Sequence, residues 1–248
     1  MRSVFIGDIH GCLRELLELT AKLDLKAEDR VYCLGDFMDK GPDPVGCLRL
    51  AQSKGWESVL GNHDEKHNRW RRHERHRQAD PSFTNPMKPL REDEVEANKS
   101  LSDQDLLWIQ ERPHTLHPFP NLIVVHGGLL PSLSLKDQTP DKILRLRWIK
   151  NGKPVGDLEP PPDSCHWTEI WDGEQSVVYG HEAHSLSTPK IDTRPNGVAC
   201  FGIDTGCVYG GRLTAMISEG PVFDPQKVNF VQVQAAQVYR QPPLFIPA

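Results

Sequence analysis

Five times in this chain a short β-rich run stops at glycine and a polar residue able to bind a cation. Val4-Phe5-Ile6 leads into Gly7-Asp8, Val31-Tyr32-Cys33-Leu34 into Gly35-Asp36, and Val59-Leu60 into Gly61-Asn62. After a long interval, Leu122-Ile123-Val124-Val125 leads into His126-Gly127-Gly128 and Val177-Val178-Tyr179 into Gly180-His181. Open α/β sheets place their sites at such strand ends, because loops leaving the carboxyl ends of neighbouring strands converge on one crevice. The stretches between the first runs read as helices: Leu13, Leu16, Leu17 and Leu23 share a face at the 3.6-residue period, with Arg14, Glu15, Glu18 and Lys22 largely on another. Strand, helix and parallel strand imply crossover units. Beyond His181, the runs at 198–201, 213–217 and 230–233 lack helical periodicity and suggest a second, more antiparallel set of strands. The expected class is α/β, a layered α/β/α sandwich with a mixed central sheet pair.

At 248 residues one large core is attainable, and a single domain spanning 1–248 is the expectation. Residues 65–120 differ in composition. Lys66, Arg69, Arg71, Arg72, Arg75 and Arg77 crowd one helix, a loop broken by Pro81, Pro86 and Pro89 follows, and a second helix covers 102–112, so this segment reads as an inserted helical cap. Its basic run is a solvated helix face, or a surface that steers polyphosphate or RNA ends.

No segment approaches the roughly 20 apolar residues that cross a bilayer. Met-Arg-Ser-Val-Phe-Ile-Gly-Asp lacks the apolar length and cleavage site of a signal peptide, so a soluble cytoplasmic monomer is expected. The six cysteines form no Cys-x-x-Cys pair and read as reduced thiols. A net charge of −5 argues against general nucleic-acid affinity.

Asp8, His10, Asp36, Asn62, His126 and His181 together offer carboxylate, imidazole and amide oxygen, a mixture suited to manganese, iron or zinc. Six protein ligands exceed what one ion with an open position needs, whereas two divalent ions sharing a carboxylate use them all; Asp36 is the expected bridge. Such a dinuclear centre at the strand carboxyl ends keeps net positive charge, attracts phosphate, and lowers the pKa of a bound water so that a bridging hydroxide can attack phosphorus. His63, beside Asn62, is then the expected general acid, and the adjacent Asp64 its orienting carboxylate. Each feature has a plainer meaning alone: Gly-Asp is usually a turn, and a single histidine usually packs. His67 is read as a surface or packing residue, and Asp39 and Asp204 as turn residues or supports outside the site.

Gly7-Asp8-Ile9-His10-Gly11, Gly35-Asp36-Phe37-Met38-Asp39-Lys40-Gly41, Gly61-Asn62-His63-Asp64 and His126-Gly127-Gly128, in this order, resemble the calcineurin-like metallophosphoesterases of the phosphoprotein phosphatase type. Tyr179-Gly180-His181 and Ile203-Asp204-Thr205-Gly206-Cys207-Val208-Tyr209 look more like bacterial diadenosine tetraphosphate hydrolases and their small phosphatase relatives. The resemblance spans most of the chain and is weakest at 65–120. It implies one ion on Asp8, His10 and Asp36, a second on Asp36, Asn62, His126 and His181, and His63 as proton donor. The second motif usually ends in Arg-Gly; here Lys40 offers a point charge in place of a planar fork. A phosphate-binding arginine commonly lies between the His-Gly-Gly and Gly-His segments, for which Arg147 is preferred over Arg145. The implied activity is hydrolysis of a dinucleoside polyphosphate; a phosphorylated serine, threonine or tyrosine in a protein and a capped RNA end are the alternative substrates. A non-catalytic metal-binding module is the contrasting reading, against which the intact His63 stands.

Overall fold

A computed structural model of the chain describes residues 2–156 and 159–243; the 152–162 loop therefore lies partly outside the described residues. The parallel strands β1 (Arg2–Ile6), β2 (Arg30–Cys33) and β3 (Glu57–Ser58) are joined by helices α1 (Leu13–Leu23) and α2 (Pro44–Ser53). Helix α3 (Asn62–Ala79) follows, then α4 (Glu92–Ser100) and α5 (Asp103–Gln110). Strands β4 (Thr115–Phe119) and β5 (Leu122–Val125), helix α6 (Pro140–Arg145) and the short strands β6 (Trp148–Lys150), β7 (Lys153–Val155) and β8 (Cys165–His166) come next. Strands β9 (Ser176–Tyr179), β10 (Lys190–Thr193), β11 (Ala199–Gly202), β12 (Arg212–Glu219) and β13 (Val228–Gln234) complete the chain.

Two mixed five-stranded sheets result, in the orders β13-β12-β1-β2-β3 and β10-β11-β9-β5-β4, with β7-β6-β8 as a small third sheet. Strand residues alternate between faces with period two, and here both faces are buried. Phe5 and Tyr32 of the first sheet meet Leu122, Val124, Val178 and Phe201 of the second in one apolar layer. Val4, Ile6, Val31 and Cys33 face the other way onto α1 and α2, while Ile123, Val125, Val177 and Tyr179 face Trp167, Trp171 and Ile143 of α6. The layers are helix, sheet, sheet, helix, the expected sandwich with its sheet pair. The late strands are more antiparallel, as expected, but they form no set of their own: β12 and β13 join the first sheet beside β1, and β11 joins the second, antiparallel to β10 and parallel to β9. In α1 the buried leucines are Leu16, Leu19 and Leu23, whereas Leu17 is 49% exposed.

The cap segment holds three helices in place of two, because α4 forms where a loop was expected, and its last stretch is β4 at the edge of the second sheet. Helix α3 has almost no apolar face. Such a helix needs polar partners to stay docked: Lys66 meets Asp39 and Glu94, Arg71 meets Asn98 and Arg75 meets Asp103, while Arg69 and Arg77 pair with Glu65 and Glu74 of α3 itself. Four of the six cations, Lys66, Arg69, Arg75 and Arg77, therefore face carboxylates. Among the described residues no helix is long and apolar enough to cross a membrane.

Candidate active site

Asp8, Asp36 and Asn62 follow the neighbouring strands β1, β2 and β3 of one sheet, and His126 and His181 follow the neighbouring strands β5 and β9 of the other. The crevice lies where the carboxyl ends of both sheets meet. Backbone bonds hold the two halves together: the His181 amide donates to both Asp8 oxygens at 3.1 and 3.0 Å, and His126 Nδ1 donates to the Leu34 carbonyl at 2.7 Å. Approach this close explains the glycines in the pattern. A Cβ on Gly180 would stand 2.0 Å from Asp8 Oδ1, and one on Gly61 would stand 2.1 Å from the Asp36 nitrogen.

The polar residues sit on bent backbone. His10, Asp36, Asp39, Lys40 and His181 all have positive φ, between 44° and 71°, a conformation costing an L-residue on the order of 1–3 kcal/mol. Local bonds hold it: the Asp36 carbonyl accepts from the amides of Ile9 and His10 at 3.2 and 2.8 Å.

Asp36 is central. Its Oδ2 lies 3.4 Å from both His10 Nε2 and His126 Nε2, and its Oδ1 accepts from the His63 amide at 2.9 Å. Asp8 Oδ2 is 3.9 Å from His10 Nε2, and Asn62 Oδ1 is 2.9 Å from His126 Nε2. His10 Nδ1 donates to the Met38 carbonyl at 2.8 Å, leaving Nε2 with a lone pair directed at the carboxylates. His181 Nε2 is buried without a hydrogen-bond partner. The electrostatics report how strongly the oxygens ask for a cation. Burial opposes charge on His126, yet the Asp36 carboxylate outweighs it and pushes the imidazole up to about 9. Burial, together with the Asp204 and Asp36 charges, drives Asp8 well above the usual carboxylate range, and burial holds His10 and His181 well below the ordinary histidine value.

His63 stands at the start of α3, its ring 4.8 Å from that of His10 and edge-on to it. Sequence adjacency suggests Asp64 as the carboxylate behind it, and here the structure corrects the expectation. Neighbouring helical residues point about 100° apart, so Asp64 turns inward, where its Oδ1 accepts from the Phe37 and Met38 amides at 3.0 Å each. The carboxylate at His63 Nδ1 is Asp39, at 2.5 Å. Asp39 also accepts from His67 Nε2 at 2.6 Å, so His67 is neither a surface nor a simple packing residue. Burial would raise the Asp39 carboxyl, but the bonds from His63 and His67 hold it well below its ordinary range. Asp204 accepts from the Gly206 amide at 2.9 Å and closes its own turn.

Two cations border the cluster. Lys40 Nζ lies 2.8 Å from His10 Nε2 and 5.2 Å from the centre of the Tyr209 ring. Arg147 is largely buried, with Nη2 3.4 Å from the His181 carbonyl and Nε 3.9 Å from Glu182. Arg145 is tied to Glu65 and Asp141. A crevice of about 290 Å³ is lined by Asn62, His63 and His181, by Asp141, Lys142, Arg145 and Arg147, and by Leu146, Pro154 and Val155. A larger cleft of about 660 Å³ lies around Asp24, Lys26 and Arg30, at the opposite end of β2. His166, Glu182 and His184 also gather donor atoms within 4.8 Å, but Arg147 and Lys190 face the same carboxylate and oppose a cation there.

Comparison with known proteins shows the family. Residues 1–185 match the family model described as calcineurin-like phosphoesterase. The chain is 33% identical to a symmetrical bis(5'-nucleosyl)-tetraphosphatase of Shewanella baltica (strain OS185), over 86% of this chain and 93% of the relative. It is 28% identical to the asymmetrical bis(5'-nucleosyl)-tetraphosphatase PrpE of Oceanobacillus iheyensis, over 87% of this chain and 88% of the relative. A crystal structure assigned as a diadenosine tetraphosphatase superposes with a TM-score of 0.73 at 27% identity, covering 94% of this chain and 93% of its own. With three quarters of its length inside the family model and its polar strand ends gathered at one crevice, the chain belongs to the calcineurin-like phosphoesterases.

Proposed function

We propose that this phosphoesterase hydrolyses dinucleoside polyphosphates at a centre of two divalent ions. The observation that carries the reading is the crevice. It is lined by Asn62, His63 and His181 together with Lys142, Arg145 and Arg147, the carboxylate of Asp141, and the apolar Leu146, Pro154 and Val155. Cations in the same crevice as the reacting groups suit further phosphates, and the apolar side chains suit a base; a lone phosphomonoester has no use for either.

The donors fit the ions the family implies. His181 Nε2 is buried and unpartnered, Nε2 of His10 is free of its own proton, and two carboxylates and an amide oxygen face them. On this reading Asp8, His10 and Asp36 hold one ion and Asp36, Asn62, His126 and His181 the other, with manganese, iron or zinc suited to the mixture and manganese expected to support activity in vitro. When bound, the pair supplies water acidic enough to attack phosphorus near neutral pH. The protein's own groups do the rest. Arg147 and Lys40 hold phosphate oxygens, while His63, its Nδ1 fixed on Asp39, presents Nε2 to the leaving oxygen and gives up a proton there. All six cysteines are free thiols, which suits a reducing compartment, and a cytoplasmic location is proposed on that ground.

Manganese-loaded protein offered diadenosine tetraphosphate, phosphopeptides and capped RNA at equal concentration should cleave the dinucleotide fastest. Two ADP would mark symmetric cleavage, ATP with AMP asymmetric cleavage, and rapid peptide dephosphorylation with intact dinucleotide would overturn the substrate assignment. Lys40→Ala should raise KM about 10- to 100-fold, the worth of a hydrogen bond to a charged group at about 1.5–3 kcal/mol, and leave metal content unchanged. Loss of a metal ion in that variant would move Lys40 from phosphate binding to support of His10.

A further inference from the structure

Both oxygens of Asp39 are occupied, and the two occupants come from one helix face. His63 and His67 are four residues apart on α3, one turn above the other. His63 Nδ1 meets Oδ2 at 2.5 Å, and His67 Nε2 meets Oδ1 at 2.6 Å. Lys66 joins Oδ2 and is itself tied to Glu94 of α4 at 3.0 Å. Behind His67 stands Asn98 of α4. Its Nδ2 lies 3.0 Å from His67 Nδ1 and donates to the His67 carbonyl at 3.1 Å, while its Oδ1 accepts from Arg71 Nε at 3.1 Å.

These partners settle the proton positions. Arg71 has only protons to offer, so the amide oxygen of Asn98 faces Arg71 and its NH2 faces His67. His67 Nδ1 must then accept, which puts the ring proton on Nε2, where it is donated to Asp39. No charge on His67 is needed. His67 and Asn98 are both buried, so the chain of bonds from α4 to the carboxylate is shielded from water.

We propose that His67, backed by Asn98, is a positioning residue for proton delivery. By clamping the second oxygen of Asp39 it fixes the carboxylate that aims His63, and it makes helix α4 of the cap part of the acid apparatus. This rests on the reading of His63 as proton donor. Without His67 the carboxylate is held through Oδ2 alone, by His63 and Lys66, and can still swing about that oxygen and take the imidazole with it; held at both oxygens, it cannot. Asp39 needs the restraint, since its backbone sits at φ 71° in the bent loop after β2. In the step served, the oxygen of water bonds to phosphorus and the bond from phosphorus to the leaving oxygen breaks. That oxygen takes the proton from His63 Nε2, and the proton released by the water restores His63 for the next turnover. Asp39 stays ionised and His67 neutral throughout.

The test uses full-length, manganese-loaded protein and two substrates that differ only in the leaving group. p-Nitrophenyl phosphate departs as a stable phenolate and needs little protonation; phenyl phosphate needs much more. His67→Leu should lower kcat on phenyl phosphate about 10- to 100-fold, the range for losing an outer partner of a working group, with a much smaller change on p-nitrophenyl phosphate and KM preserved for both. His67→Gln, whose amide can still donate to Asp39, should restore the ratio. A second readout needs no turnover: the downfield imide proton of His63 Nδ1, seen by nitrogen-edited NMR in metal-free protein, should broaden or shift in His67→Leu and return in His67→Gln. Equal losses on both substrates, or an unmoved His63 resonance, would overturn the clamp. His63→Gln separates the layers of the inference. A leaving-group split there without one in His67→Leu refutes the clamp alone, and no split in either variant removes the proton-donor reading along with it.

Discussion

Asp36→Asn protein, reconstituted with excess manganese, is expected to retain neither ion at full occupancy and to lose at least about a thousandfold in kcat, the several kcal/mol that metal catalysis supplies. The substitution keeps size and shape, so the effect comes from charge. Asp36 Oδ2 is 3.4 Å from the Nε2 atoms of His10 and His126, which belong to the two proposed halves of the centre. Two dications about 3.5–4 Å apart repel each other strongly, and a shared anion between them offsets that repulsion for both at once. A neutral amide does not, and it also brings an NH2 group to a place where lone pairs are wanted. Asp8→Asn should differ in kind, because Asp8 lies near His10 and is 3.9 Å from its Nε2; one ion should weaken and the other persist. Metal analysis on dialysed protein, with circular dichroism as a check on folding, distinguishes the two. Equal metal content in wild type and Asp36→Asn would refute the bridge.

The strand-end residues were legible because their pattern carries its own reason. Loops that converge on one crevice need a side chain that reaches in and a neighbour with no Cβ to obstruct it, so Gly-Asp, Gly-Asn and Gly-His recur wherever Gly61 and Gly180 are crowded by Asp36 and Asp8. Sheet pairing was less legible. Val4-Phe5-Ile6 and Val177-Val178-Tyr179 are buried on both faces and show no polar alternation, and nothing in such a run says which neighbour it joins or in which direction. That is why the place of β12 and β13 beside β1 is not legible in their residues. Helix α4 is hidden for a different reason: Glu92–Ser100 is nearly all polar, and the Glu94 carboxylate on the Arg91 amide, with bonds to Lys66 and His67 of α3, holds it where an apolar stripe does not. Asp64 is excluded as the orienter of His63 by helix geometry alone. Once 62–79 is taken as a helix, i and i+1 diverge and i+4 aligns, which excludes Asp64 and draws attention to His67. What the helix rule cannot supply is Asp39, brought to α3 from the loop after β2 by a fold in the backbone that depends on positive φ.

His63→Gln should retain both ions and lower kcat by about 10²- to 10⁴-fold on a substrate whose leaving group must be protonated, the usual contribution of a positioned acid. Metal retention follows from the geometry: the contact from this residue to Asp36 is made by the backbone amide, which the substitution keeps. The size of the loss should depend on what leaves. A phosphate oxygen expelled from an anhydride has a second pKa of about 6, so it departs as an anion near neutral pH with little help. A serine alkoxide is nearer to hydroxide, whose parent water has a pKa of about 15.7 in bulk, and departs only with a proton supplied. The same variant should therefore lose far less on diadenosine tetraphosphate than on a phosphoserine peptide. If dinucleotide hydrolysis instead collapses as fully as peptide hydrolysis, proton transfer is limiting even for the anhydride, and His63 acts on the dinucleotide as strictly as on an alkyl ester. A chain that serves only to bind phosphorylated ligands gives the opposite signature, with ligand affinity and metal content untouched by His63→Gln and no turnover in wild type to lose. Initial rates on the two substrates, measured beside metal content for wild type and variant, separate the three outcomes.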